Sequence, residues 1–90
     1  MKRQKQWPEW WEWELELTPH LEKRMMDRGF NELDLRRMLA RAHRYHPDVS
    51  PDRWVIETQH KQEPWEVIIE PDTDEHLLAV VTAYPVEVSQ

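Results

Sequence analysis

Thr18-Pro19-His20-Leu21-Glu22-Lys23-Arg24-Met25-Met26-Asp27-Arg28-Gly29-Phe30 reads as a short helix with both ends marked in the chain. Thr18 can cap the start, and Pro19 suits the first turn, where its missing N–H loses nothing. Gly29 is the one glycine in the sequence and falls where a left-handed stop is needed. Inside the helix, His20, Arg24 and Arg28 recur at i, i+4 and i+8, so they lie along one side. Leu21 and Met25 point to the core, with His20 and Arg24 at its rim.

Working outward, Trp11, Trp13, Leu15 and Leu17 alternate with Glu12, Glu14 and Glu16, the period of a half-buried strand. Residues 1–10 are polar apart from Trp7 and Trp10 and are expected to form a mobile arm. After the first helix, Asn31 is a good N-cap with Asp34 three residues on. Leu35, Met38, Leu39 and Ala42 then define a buried stripe. This second helix is expected to run to residues 44–46, just before Pro47. Residues 48–52 form a loop. Three strands follow, at 53–60, 65–70 and 77–84, joined by turns short enough for antiparallel hairpins. The last strand is apolar on both sides at first, as a central strand is. The expected fold is α+β with the order β-α-α-β-β-β. Two helices would pack on one face of a four-stranded, mostly antiparallel sheet, in one domain over residues 11–86 with a tail at 87–90.

Ninety residues make one small domain, which buries only about 60–65% of its extended-state surface. With no cysteines, disulfides and thiolate metal sites are excluded, so the six tryptophans must supply much of the buried area. No apolar run reaches membrane-spanning length, and the first residues lack the apolar segment of a signal peptide. A soluble cytoplasmic protein without membrane contact is expected. The net charge of −6 is uneven: residues 20–46 carry seven Lys/Arg against four acids, and residues 47–90 carry Arg53 and Lys61 against ten. The total opposes nonspecific nucleic-acid binding, yet leaves room for a local basic surface that steers one phosphate.

The order of elements resembles the RelE-like toxins, part of a wider group of small ribonuclease folds with barnase, EndoU-type nucleases and the colicin RNases. More closely, His20-x-x-x-Arg24-Met25-x-x-Arg28-Gly29-Phe30, Arg53-Trp54-Val55-Ile56-Glu57 and Val80-Val81-Thr82-Ala83-Tyr84 resemble a family of small, mostly uncharacterised bacterial domains placed in that RelE-like group. The resemblance spans residues 11–86. It implies metal-independent RNA cleavage, in which the ribose 2′-hydroxyl attacks its own phosphate. One group then takes a proton, another gives one, and cations hold the phosphoryl oxygens. On that reading His20 transfers protons and Arg24 grips phosphate, while Thr82 and Tyr84, two apart on one strand, complete the catalytic set. Arg28, Arg53 and His60 are candidate substrate-binding residues, with at most one of the last two reaching the same site. No cofactor is expected.

Each of these residues also has an ordinary structural role open to it. His20 can simply bond a loop, and Arg24 and Arg28 can pair with Glu22 or Asp27, the preferred reading for Arg28. Thr82 can be a plain strand residue, Tyr84 a core aromatic with its hydroxyl at the edge, and the Arg37/Arg41/Arg44 stripe a solvated helix face. His43-x-x-His46 with Asp48 falls at a helix end without a firm third ligand, so no metal site is assigned. Trp11 and Trp13 should cover the sheet, while Trp7 and Trp10 either cap an edge or anchor a partner or homodimer. The leading expectation is an endoribonuclease toxin acting on RNA and restrained by an antitoxin. The alternative is a non-catalytic protein-binding module on the same fold, using a strand edge or the tryptophan arm.

Overall fold

The computed structural model describes residues 7–87. A 3₁₀ turn, Glu9–Glu12, leads into β1 (Glu14–Leu17), α1 (Pro19–Arg28) and α2 (Glu32–Ala40). Strands β2 (Arg44–Pro47), β3 (Trp54–His60), β4 (Glu63–Asp72) and β5 (Leu77–Pro85) follow. The architecture is α+β, with one five-stranded sheet in the order β1-β5-β4-β3-β2. β1 runs parallel to β5, and the other three ladders are antiparallel. None of the described helices is long and apolar enough to cross a membrane.

The helix boundaries follow from their caps. The Thr18 hydroxyl oxygen accepts the Leu21 N–H at 3.2 Å, and Gly29 ends α1 at φ 68°. Asn31 and Asp34 form a reciprocal capping box at the start of α2. Each helix is tied to one strand. The Thr18 hydroxyl donates to the Val80 carbonyl at 2.8 Å, and the Thr58 hydroxyl donates to the Met38 carbonyl. Leu21, Leu35, Met38, Ile56, Val67, Ile69, Leu78 and Val80 are fully or almost fully buried and form the core between the helices and the sheet.

Two expectations need correction. The second helix stops at Ala40 rather than at residues 44–46, and the chain makes a fifth strand instead. Ala42 continues the apolar stripe, but Tyr45 gains more by lying opposite Ile56 in the sheet, and Pro47 bars a helix from continuing. The sheet therefore has five strands rather than four, and it is mixed because the helices carry the chain from β1 to β2 at the opposite edge, from which the meander returns with β5 parallel to β1. Trp7 and Trp10, for which the sequence left edge capping or a partner interface open, pack into the fold. Trp7 stacks on Trp11 at 4.4 Å between ring centroids, and Trp10 packs on Trp54 at 5.6 Å and Tyr45 at 6.1 Å. So much aromatic area is better buried than solvated. Residues 1–6 of the arm and 88–90 of the tail lie outside the described residues.

Thr18→Ala removes both the cap and the bond to Val80. It is expected to lower stability by about 1–2 kcal/mol in urea unfolding, with Thr18→Ser close to wild type.

Candidate functional site on the helix-free face

Strict alternation along β5 would send Thr82 and Tyr84 the same way as Leu78 and Val80, into the helix layer. The register prevents this. Ile69 pairs with Val80 and Ile68 with Thr82, so Val81 is an extra residue in β5 and the ladder bulges there. Val80 and Ala83 are consequently both fully buried under the helices. Thr82 and Tyr84 turn to the opposite face.

On that face four strands contribute one row. Tyr84 lies opposite Glu66, Glu66 opposite Glu57, and Glu57 opposite Arg44. The Tyr84 hydroxyl donates to Glu66 Oε1 at 2.8 Å. Glu57 Oε1 is 3.4 Å from Arg44 Nε, and its Oε2 is 3.2 Å from His46 Nε2. Two carboxylates directly opposite one another on neighbouring strands repel. Here each is held by a different partner, Glu66 by the phenol and Glu57 by the guanidinium and imidazole. At the far side of β5, Arg28 Nη1 donates to the Ala83 carbonyl at 2.9 Å and reaches Thr82 Oγ1 at 3.5 Å. β1 stops pairing with β5 at Val80, so this arginine serves a carbonyl beyond the end of that ladder.

Burial, the hydrogen bond to Glu66 and the charges of Glu66 and Asp48 push the Tyr84 hydroxyl up to about 12, against a smaller opposing pull from Arg28. Tyr84 is therefore a neutral hydrogen-bond donor throughout the physiological range. The row offers a carboxylate–imidazole pair, a second carboxylate, a phenol that keeps its proton, and a guanidinium at either end.

The sequence-predicted residues divide between several places. Arg28, Thr82 and Tyr84 come together at this face. Arg24 is paired with Asp27 at 3.2 Å on the surface of α1. His20 is exposed in the first turn of α1, and no hydrogen bond joins it to Arg28, Thr82 or Tyr84. Arg53 pairs with Glu70 at 3.1 Å, and His60 packs against Trp65 on the helix side of the sheet. Among the described residues no group of three or more His, Asp or Glu side chains is arranged to hold a metal ion. Sequence reasoning gave Glu57, Glu66, His46 and Arg44 no role in such a row. A signal existed for Glu66, the one polar residue between Trp65 and Ile69, where alternation alone would accept any polar residue. Arg44 and His46 carried no such signal, because their segment resembled a helix end.

Fold and site together define a small two-layer α+β domain with a polar row across its helix-free face. The chain belongs to the DUF4258 family, a domain of unknown function, which it matches over residues 17–85. No curated protein and no solved structure matches it.

The raised Tyr84 group fixes a direction for stability in alkali. Between about pH 10 and 12 the unfolded chain loses the tyrosine proton while the folded chain keeps it, so stability falls as pH rises through that window. Subtracting the ultraviolet phenolate titration of Tyr84→Phe from that of wild type should isolate a transition near pH 12. Glu66→Gln should move that transition down.

Proposed function

We propose that this domain is a metal-independent endoribonuclease of the RelE-like type, with its reacting groups in the row on the helix-free face. The observation that carries this reading is the His46–Glu57 pair at 3.2 Å, in the same row as Tyr84 and Glu66. In the proposed reaction the ribose 2′-oxygen bonds to phosphorus, and the bond from phosphorus to the 5′-oxygen breaks. The products are a 2′,3′-cyclic phosphate and a 5′-hydroxyl. His46 takes the 2′ proton, with Glu57 orienting the ring and stabilising its charged form. Tyr84 donates the proton that the leaving 5′-oxygen needs. Arg44 and Arg28, at opposite ends of the row, supply charge for the phosphoryl oxygens. Arg24 is engaged with Asp27, so the α1 rim provides less free charge than its sequence suggested.

A second reading, a non-catalytic protein-binding module, rests on the outer position of β2 and the acidic net charge of −6. The tryptophan arm contributes less to it, since Trp7 and Trp10 already pack against Tyr45 and Trp54.

Purified protein, assayed on a single-stranded oligoribonucleotide with EDTA present, should release 2′,3′-cyclic phosphate ends and leave the all-deoxy analogue intact. His46→Ala and Tyr84→Phe should each slow cleavage by at least about 100-fold. Glu57→Gln should slow it and shift the pH–rate profile, and His20→Ala should stay near wild type. Loss confined to His20→Ala would move the centre to α1 and refute the row. Absence of cleavage by wild type would leave the protein-binding module as the better reading.

A further inference from the structure

The helix side of the sheet carries a second polar feature, separate from the row. A groove of about 500 Å³ opens where the C-terminal half of α2 meets the β3–β4 hairpin. Arg37, Arg41, His60 and Lys61 line it, with Asp34 as the one acid. Asp34 is already engaged, since its carboxylate accepts the Asn31 N–H at 3.0 Å in the capping box. Arg37, Arg41 and Lys61 are exposed and form no ion pair among the described residues, whereas neighbouring Arg36 is held by Glu32 at 2.9 Å.

His60 sets this groove apart from an ordinary basic surface. It is only 8% exposed, its ring lies edge-on to Trp65 at 5.3 Å, and no described group hydrogen-bonds its nitrogens. No buried side-chain nitrogen or oxygen among the described residues lacks a partner, so the ring nitrogens of His60 that the fold does not bond are open to solvent. The ring lines the groove between two guanidiniums and an ammonium. The hairpin turn contributes a further sign. His60 pairs with Glu63, so Lys61 and Gln62 are the two turn residues, at φ 52° and 67°. Such turns favour Asn-Gly, because both positions are left-handed. This chain keeps a lysine in strained backbone at the mouth of a cationic groove, and retained strain of this kind clusters at binding sites.

We propose that the Arg37/Arg41/His60/Lys61 groove binds a phosphate group, carried by either a nucleic-acid strand or a small phosphorylated molecule. Two planar guanidiniums suit a tetrahedral oxyanion bonded at several oxygens, and the imidazole and ammonium add donors from the opposite wall. The site lies on the helix side of the sheet, so it stands or falls independently of the chemistry proposed for the row.

The probe is pyrophosphate, titrated calorimetrically into the full chain at low salt. Saturable one-to-one binding is expected. Arg37→Gln/Arg41→Gln and, separately, Lys61→Gln should weaken it at least 10-fold, with thermal melts confirming folding. Arg36→Gln and Arg24→Gln should leave it unchanged. A single-stranded oligonucleotide that competes with pyrophosphate assigns the site to a strand, and one that fails to compete assigns it to a small phosphorylated molecule. Absence of saturable binding, equal weakening by Arg24→Gln, or binding of a polyglutamate peptide in place of pyrophosphate would overturn the proposal.

Discussion

One extra residue in β5 sets the chemistry of both faces of this sheet. Because Val81 is accommodated as a bulge, the strand changes parity between Val80 and Thr82. Its first half gives Leu78 and Val80 to the core, and its second half gives Ala83. Ala83 is small enough to sit under the helix layer, while Thr82 and Tyr84 are released to the other side. In an unbulged strand the hydroxyl and phenol would lie beneath α1. A buried phenol there would need a partner in the apolar core, and the row with Glu66 could not form.

α1 is held to the same strand. Thr18 at its start bonds the Val80 carbonyl, and Arg28 at its end bonds the Ala83 carbonyl. The two bonds bracket the bulge, at the point where β1 no longer covers the edge of β5. The helix thus takes over hydrogen bonding that a strand would otherwise provide. The arginine that sequence reasoning preferred to see as a surface salt bridge is instead an edge cap that also places a positive charge beside Tyr84.

What the sequence disclosed depended on how local the determining interaction was. The limits of α1 were legible, because Thr18, Pro19 and Gly29 act within a few residues of themselves. So were the three-strand meander and the general placement of the helices on one face. β2 was not, since four residues after an apolar helical stripe become a strand only through pairing with β3. The parallel β1–β5 ladder was hidden for the same reason. The bulge carried no glycine or proline to announce it. Of the candidate site, the grouping of Thr82 with Tyr84 could be read from alternation. Tyr84's carboxylate partner Glu66 required the register, which is a property of two strands at once.

The parallel ladder also has a consequence for the order in which the chain can be assembled. Glu14 finds its partner at Leu77, and Leu17 finds its partner at Val80. Contacts so distant in sequence close late. During synthesis, which proceeds from the N-terminus, β1 and the adjoining tryptophans emerge long before the strand that receives β1 exists. β1 must therefore wait unpaired until the last strand is made, whereas Trp7 and Trp10 meet Tyr45 and Trp54 earlier, as soon as β2 and β3 exist.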